Sequence, residues 1–184
     1  MKNDTFESEA HFTTFLKDCF EPAVRTLRPG GAVYTCGIHR CLRANTDALS
    51  QLHVDLTHEL IWAKSRKSFL TGGKFVRQHE NIWLGHKKGG AQHGPTVDYT
   101  TIALDEREDL SKLTKDELLE LIRGSVLDAK HDTDKWANHP TVKPYALLEP
   151  LIKASSYPGD TVLDIFGGSG STALACFRLG RKSI

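Results

Sequence analysis

Toward the end of the chain a short apolar run meets three glycines and then a helix-forming stretch: residues 162–172 read Val-Leu-Asp-Ile-Phe-Gly-Gly-Ser-Gly-Ser-Thr. The run 162–166 has the composition of a buried parallel strand. Gly167, Gly168 and Gly170 follow at once. Residues 171–179 then have helical character, with Gly180 placed to end the helix at C′. Strand, glycine turn and helix in that order predict an α/β architecture, which presents ligands at the carboxyl ends of its strands. Glycine suits such a turn because the backbone can bend sharply and a ligand can approach with no Cβ in the way.

More than one ligand fits that pattern. Gly168-x-Gly170-x-x-Ala173 satisfies a dinucleotide-binding spacing. The acidic ribose partner which that spacing calls for, about 20 residues on, falls at or beyond Ile184. No Gly-Lys-Ser/Thr follows the glycines, which excludes a phosphate-binding P-loop. A tight turn with no ligand is the plainer alternative. A carboxylate at Asp164, an aromatic ring at Phe166 and three glycines are more than a bare turn requires.

The segment upstream narrows the choice. Residues 138–144 read Asn-His-Pro-Thr-Val-Lys-Pro, followed by an amphipathic stretch, 145–155, and a turn, Tyr157-Pro158-Gly159-Asp160. The block from Asn138 to Thr172 resembles the β-class S-adenosylmethionine-dependent DNA methyltransferases, which methylate adenine N6 or cytosine N4. In that family a His-Pro-Thr-x-Lys-Pro block precedes an Asp-Pro-Phe-x-Gly-Ser-Gly block by a similar interval. Ile165 stands where the family usually has proline. The rest of the chain is similar more loosely. Residues 27–36, 59–64 and 79–87 look like a turn and central strand and the two strands after it, and 111–123 looks like a helix preceding the His-Pro-Thr block.

The resemblance implies a Rossmann-like S-adenosylmethionine-dependent methyltransferase fold, α/β, a three-layer sandwich with a mostly parallel sheet and an antiparallel strand near one edge. Strands are predicted near 32–36, 59–64, 80–87 and 161–166. Helices are predicted near 9–27, 43–53, 111–123, 145–156 and 171–179. One partial methyltransferase domain spans 1–184, with target recognition implied within 88–136. For the cofactor S-adenosylmethionine, the resemblance places Gly167, Gly168 and Gly170 under the methionine part and Phe166 near the adenosine. Asp164 would fix the loop or the cofactor's amino group, and Thr141 and Lys143 would approach the carboxylate. The reaction implied is direct methyl transfer to a base flipped out of double-stranded DNA. It needs no metal and no covalent nucleophile.

The family's catalytic Asp/Asn/Ser-Pro-Pro-aromatic motif does not occur: the chain contains no Pro-Pro dipeptide. The catalytic residues are therefore unknown from these residues. In the family's order that motif would precede Met1, and a strand with a ribose-binding acid would follow Ile184. The domain is expected to be incomplete at both ends. It is either the middle of a methyltransferase, completed by a flanking segment or a second chain, or a non-catalytic remnant that binds cofactor or DNA.

Charge distribution supplies a candidate DNA contact. Between 61 and 90 the basic residues Lys64, Arg66, Lys67, Lys74, Arg77, Lys87 and Lys88 face a single acid, Glu80. Lys64, Arg66, Lys67, Lys74 and Arg77 fall between two predicted strands in a glycine-containing loop suited to phosphates. A solvated basic hairpin is the bland alternative. The acidic stretch 105–120 reads as the solvent face of a helix, with Leu110, Leu113, Leu118, Leu121 and Ile122 on its buried side. Trp62 and Trp83 are expected in the core. Cys36 and Cys41 with His39 between them lack a second ligand pair, so no metal site is expected. No apolar run approaches a membrane span, the N-terminus lacks a signal-peptide core, and free thiols suit a cytoplasmic protein.

Overall fold

A computed structural model describes residues 6–37, 41–63, 79–95, 126–129 and 142–184. In chain order the elements are α1 (Glu9–Thr26), β1 (Ala32–Gly37), α2 (Leu42–Gln51), β2 (Val54–Ala63), β3 (His79–Lys87), β4 (Val126–Asp128), α3 (Tyr145–Ser155), β5 (Thr161–Val162), α4 (Ser171–Arg178) and β6 (Lys182–Ser183). The predicted helix at 111–123, the basic loop with Lys64, Arg66, Lys67, Lys74 and Arg77, Thr141, and most of 88–136 lie outside the described residues.

Local chemistry explains where the helices start and stop. The Ser8 hydroxyl accepts from the His11 N–H at 3.1 Å and caps α1, with Glu9 in the first turn complementing the positive end of the helix. Leu16, Phe20 and Val24 recur every four residues and form its buried stripe. At the end of α4, Gly180 takes φ +70°. Its N–H donates to Phe177 O at 3.2 Å and the Arg181 N–H donates to Cys176 O at 2.8 Å. That pair of bonds is a Schellman cap, the ending anticipated from the glycine.

Four strands pair in the order β1-β3-β2-β4, and β5 pairs with β6 in a separate two-stranded sheet. β3 runs antiparallel between β1 and β2, whereas β2–β4 and β5–β6 are parallel. Among the described residues the antiparallel strand β3 lies one place in from the β1 end of this order, and its two ladders are the long ones. β2 also begins at Val54, well before the predicted start, because its first residues pair with the far end of β3.

A register shift between Leu56 and His58 decides how β2 is used. Side chains alternate faces along a strand, and one extra residue reverses the alternation. Val54 and Leu56 accordingly pack with α1 and α2, around Leu16, Phe20, Ala44, Ala48 and Leu49. Leu60 and Trp62 pack on the opposite face with Ile82, Ala129 and, from α3, Leu147 and Leu151. One strand thus serves both cores of an α/β/α sandwich. Ile152 of α3 turns toward Ala175 and Cys176 of α4, joining the second sheet to the first. Trp62 and Trp83 are both core residues, as expected, and the Trp62 indole N–H donates to the buried Ala129 carbonyl at 2.9 Å.

The run 162–166 departs from the expectation of a buried strand. Pairing with β6 covers Thr161 and Val162 and extends by one further bond, from the Asp164 N–H to Ile184 O at 3.0 Å. Leu163, Ile165 and Phe166 are exposed. Only one side of β5 carries a partner among the described residues, so its apolar side chains outrun the ladder that would cover them.

Candidate functional site

The carboxyl ends of β1, β2 and β4 lie at the same edge of the sheet as the start of β3, because Gly37 opposes Asn81 and Ala63 opposes both His79 and Asp128. The Lys143 ammonium joins this edge. It donates to Glu80 Oε2 at 3.4 Å and sits 5.5 Å from the centre of the Trp62 ring. Cys36, near the end of β1, shares the neighbourhood. Its thiol has an open side, but surrounding protein pushes its pKa up; Lys143 pulls it back, and Glu80 and Asp164 add to the rise. Lys143 before α3, Glu80 at the start of β3 and Asp164 beyond β5 therefore all bear on the Cys36 thiol.

Asp164 organises the glycine turn. Its Oδ1 accepts the Phe166 N–H at 3.0 Å, folding the chain back at the end of β5. The Gly170 N–H then donates to Gly167 O at 2.7 Å, closing a tight turn. Gly168 and Gly170 take φ +49° and +75°, values that disfavour any residue with a Cβ. A Cβ built at Gly170 would meet nothing within 4 Å, and one at Gly167 only Asp164 O at 3.8 Å. The turn is therefore an open cradle rather than a packed one. Gly170 occupies the N-cap of α4 and offers no side-chain cap, so the first N–H groups of that helix face outward with their partial positive charge. Phe166 is 59% exposed and presents its ring beside the cradle.

The structure thus brings Asp164, Phe166, Gly167, Gly168 and Gly170 into one turn, and Lys143 and Asp164 both act on the Cys36 thiol. Thr141 and the five basic-loop residues fall outside the described residues. Sequence reasoning missed Glu80 as a site residue. The signal was its isolation as the sole acid in a basic run, since a lone acid among cations tends to be paired. Lys143 consequently does not stand as a free ammonium: it is paired with Glu80. Among the described residues no group of three or more His, Cys, Asp or Glu side chains could hold a metal ion.

The turn thus offers backbone freed of Cβ atoms beside an exposed ring, and Glu80 holds an ammonium at the strand ends of the larger sheet. The DNA methylase family model matches residues 1–184. The Type II methyltransferase M2.DpnII of Streptococcus pneumoniae is 31% identical over 186 residues, covering 100% of this chain, and the chain spans 64% of that relative's length. In fold the chain is similar to the PvuII cytosine-N4-specific DNA methyltransferase, with a TM-score of 0.74, 18% identity, and coverage of 100% of this chain and 69% of that one. It is also similar to M1.HpyAVI in its SAM complex, with a TM-score of 0.66, 22% identity, and coverage of 93% and 75%. The match along the whole of its length establishes that the chain belongs to the DNA methylase family.

Proposed function

We propose that this chain is the cofactor-binding part of a DNA methyltransferase that moves a methyl group from S-adenosylmethionine to the exocyclic amino nitrogen of adenine or cytosine. The observation that carries the reading is the open glycine cradle, bracketed by Asp164 and Phe166 and adjoining Lys143. The cofactor supplies an electrophilic methyl on a sulfonium; the amino nitrogen gains the methyl and loses a proton, and the neutral thioether leaves.

The residues of this chain bind and orient. Asp164 holds the turn by accepting the Phe166 N–H, which keeps the Phe166 ring turned out where it can pack against adenine. Gly167, Gly168 and Gly170 let the methionine portion lie directly on backbone. Lys143, with its charge partly balanced by Glu80, and Thr141 receive the carboxylate. Holding the two reacting atoms in line contributes through proximity and orientation. Lys64, Arg66, Lys67, Lys74 and Arg77 are the proposed phosphate contacts of double-stranded DNA. The base-binding motif comes from a flanking segment or a second chain. The proposed setting is the cytoplasm; among the described residues no helix is long and apolar enough to cross a membrane.

Calorimetric titration of the full chain with S-adenosylmethionine, and separately with NAD, tests the cofactor. Saturable binding of S-adenosylmethionine that Asp164→Ala weakens at least about tenfold, or about 1.4 kcal/mol, supports the proposal. Tighter binding of NAD, or no effect of Asp164→Ala, defeats it. Radiolabelled methyl transfer to unmodified DNA, measured with and without a polypeptide carrying the Pro-Pro-aromatic motif, tests the reaction itself.

A further inference from the structure

We infer that His93, Asp160 and Arg28 form a clasp that positions β5 and its glycine turn against the four-stranded sheet. Its relevance to cofactor binding rests on the function proposed above. Among the described residues the two sheets exchange no ladder hydrogen bonds. β5 contributes Thr161 and Val162 to its ladder, with one further bond from the Asp164 N–H to Ile184 O, so β5 and β6 move together and what holds the residue before β5 helps set where the turn lies.

Asp160 is the residue before β5, and it is held by four hydrogen bonds that it accepts. Its Oδ2 accepts from His93 Nε2 at 2.7 Å and from the Tyr157 N–H at 2.8 Å. Its Oδ1 accepts from Arg28 Nη2 at 3.3 Å. Its carbonyl accepts from the Lys182 N–H at 2.8 Å, tying it to β6. A carboxylate can only accept, so His93 Nε2 is the donor to Asp160, and Arg28 Nη1 lies against the same ring, 3.3 Å from Nδ1 and 3.2 Å from Nε2.

The other half of the clasp is anchored in the larger sheet. The His93 N–H donates to Gly30 O at 3.0 Å, and the Gly30 N–H donates to Lys87 O, the last residue of β3, at 2.8 Å. Arg28 lies in the turn that enters β1. The His93 ring stands edge-on to Tyr157 at 5.4 Å between centroids. Gly94 follows at φ +125°, where a Cβ would come within 2.4 Å of Ala154 O at the end of α3. Residues 93 and 94 are therefore pressed between the β1 turn, the end of α3 and the turn before β5. Asp160 is four residues from Asp164, close enough for slack at one to move the other. His93 and Arg28 are positioning residues, since they act through Asp160 rather than on a ligand.

Hydrogen–deuterium exchange on the full chain, comparing wild type with His93→Ala and His93→Gln, tests the clasp. A local loosening raises exchange in the affected segment alone. His93→Ala is expected to speed exchange at 157–170 about tenfold, while α1 stays unchanged, and His93→Gln, whose amide can still donate to Asp160, is expected to restore protection. Arg28→Met, which leaves the His93–Asp160 bond in place, should give a smaller rise in the same segment. Unchanged exchange at 157–170, a rise spread evenly over the chain, or equal effects of Ala and Gln would each overturn the clasp. If wild type failed to bind S-adenosylmethionine, the proposed cofactor would fall while the exchange result still decided the clasp.

Discussion

Replacing Gly170 by alanine separates a glycine kept for its backbone from one kept for a ligand. Gly170 has φ +75°, and a Cβ there would meet nothing within 4 Å. The protein alone would therefore feel only the left-handed backbone, about 1–2 kcal/mol for an L-residue. The stiffer unfolded chain offsets about 0.4–1 kcal/mol of that. The net loss is about 1 kcal/mol, a fall of about 2–4 °C in Tm for a chain of this size. Gly159 is a matched control: φ is +90° and its built Cβ also meets nothing within 4 Å, but it lies in the turn before β5, away from the cradle. Thermal melts should show similar small losses for Gly159→Ala and Gly170→Ala. Calorimetry should show that only Gly170→Ala weakens S-adenosylmethionine binding, by about tenfold or more, or at least about 1.4 kcal/mol. Equal affinities for the two variants would refute the cradle. A loss of stability beyond about 4 kcal/mol for Gly170→Ala would refute the open space on which the calculation rests.

Other consequences can be checked by denaturation. Trp62→Phe removes the donor to the buried Ala129 carbonyl and leaves a void between α3 and the sheet, so a urea titration should show a loss of about 2–4 kcal/mol. Lys87→Met keeps the aliphatic stem but removes an ammonium that donates to Leu27 O at 2.6 Å and Val24 O at 2.8 Å at the end of α1. The expected loss is about 1–3 kcal/mol by the same titration. The Asp160 carboxyl is held below its ordinary pKa, chiefly by the Tyr157 N–H and then by His93. A depressed carboxyl adds stability that is present above its unfolded pKa of about 3.9 and is lost as pH falls through the lower folded value. Urea midpoints should drop on acidification below about pH 4, and Asp160→Asn should flatten that part of the profile.

Much of the local structure was legible because its causes lie within a few residues. The helix expected near 9–27 is α1, with Ser8 as its cap and Leu16, Phe20 and Val24 as its buried stripe, and Gly180 after Leu179 ends α4 as the sequence indicates. The paired blocks at 138–144 and 162–172 pointed to the DNA methylase family, to which the chain belongs. The residues bracketing the cradle were legible for the same reason: Asp164, Phe166 and the glycines interact with each other across a few bonds.

The expectations that changed concern partners far away in sequence. A continuous apolar run at 162–166 reads as a buried strand, but burial needs neighbours on both sides, and β5 shows one among the described residues. The sidedness of β2 turns on a bulge against β3 that no alternation in β2 alone reveals. Lys143 was legible as a cation near the site, yet its ion pair with Glu80 spans 63 positions and exists only because β3 begins where β2 ends. His93 and Asp160, 67 positions apart, meet only once both sheets have packed on α3. The sequence by itself determined the helix ends and the glycine turn, because capping, spacing and glycine φ act over one or two turns of chain. Tertiary structure alone decided which face each strand buries and which charges meet, because those contacts form only when distant segments are brought within hydrogen-bonding reach.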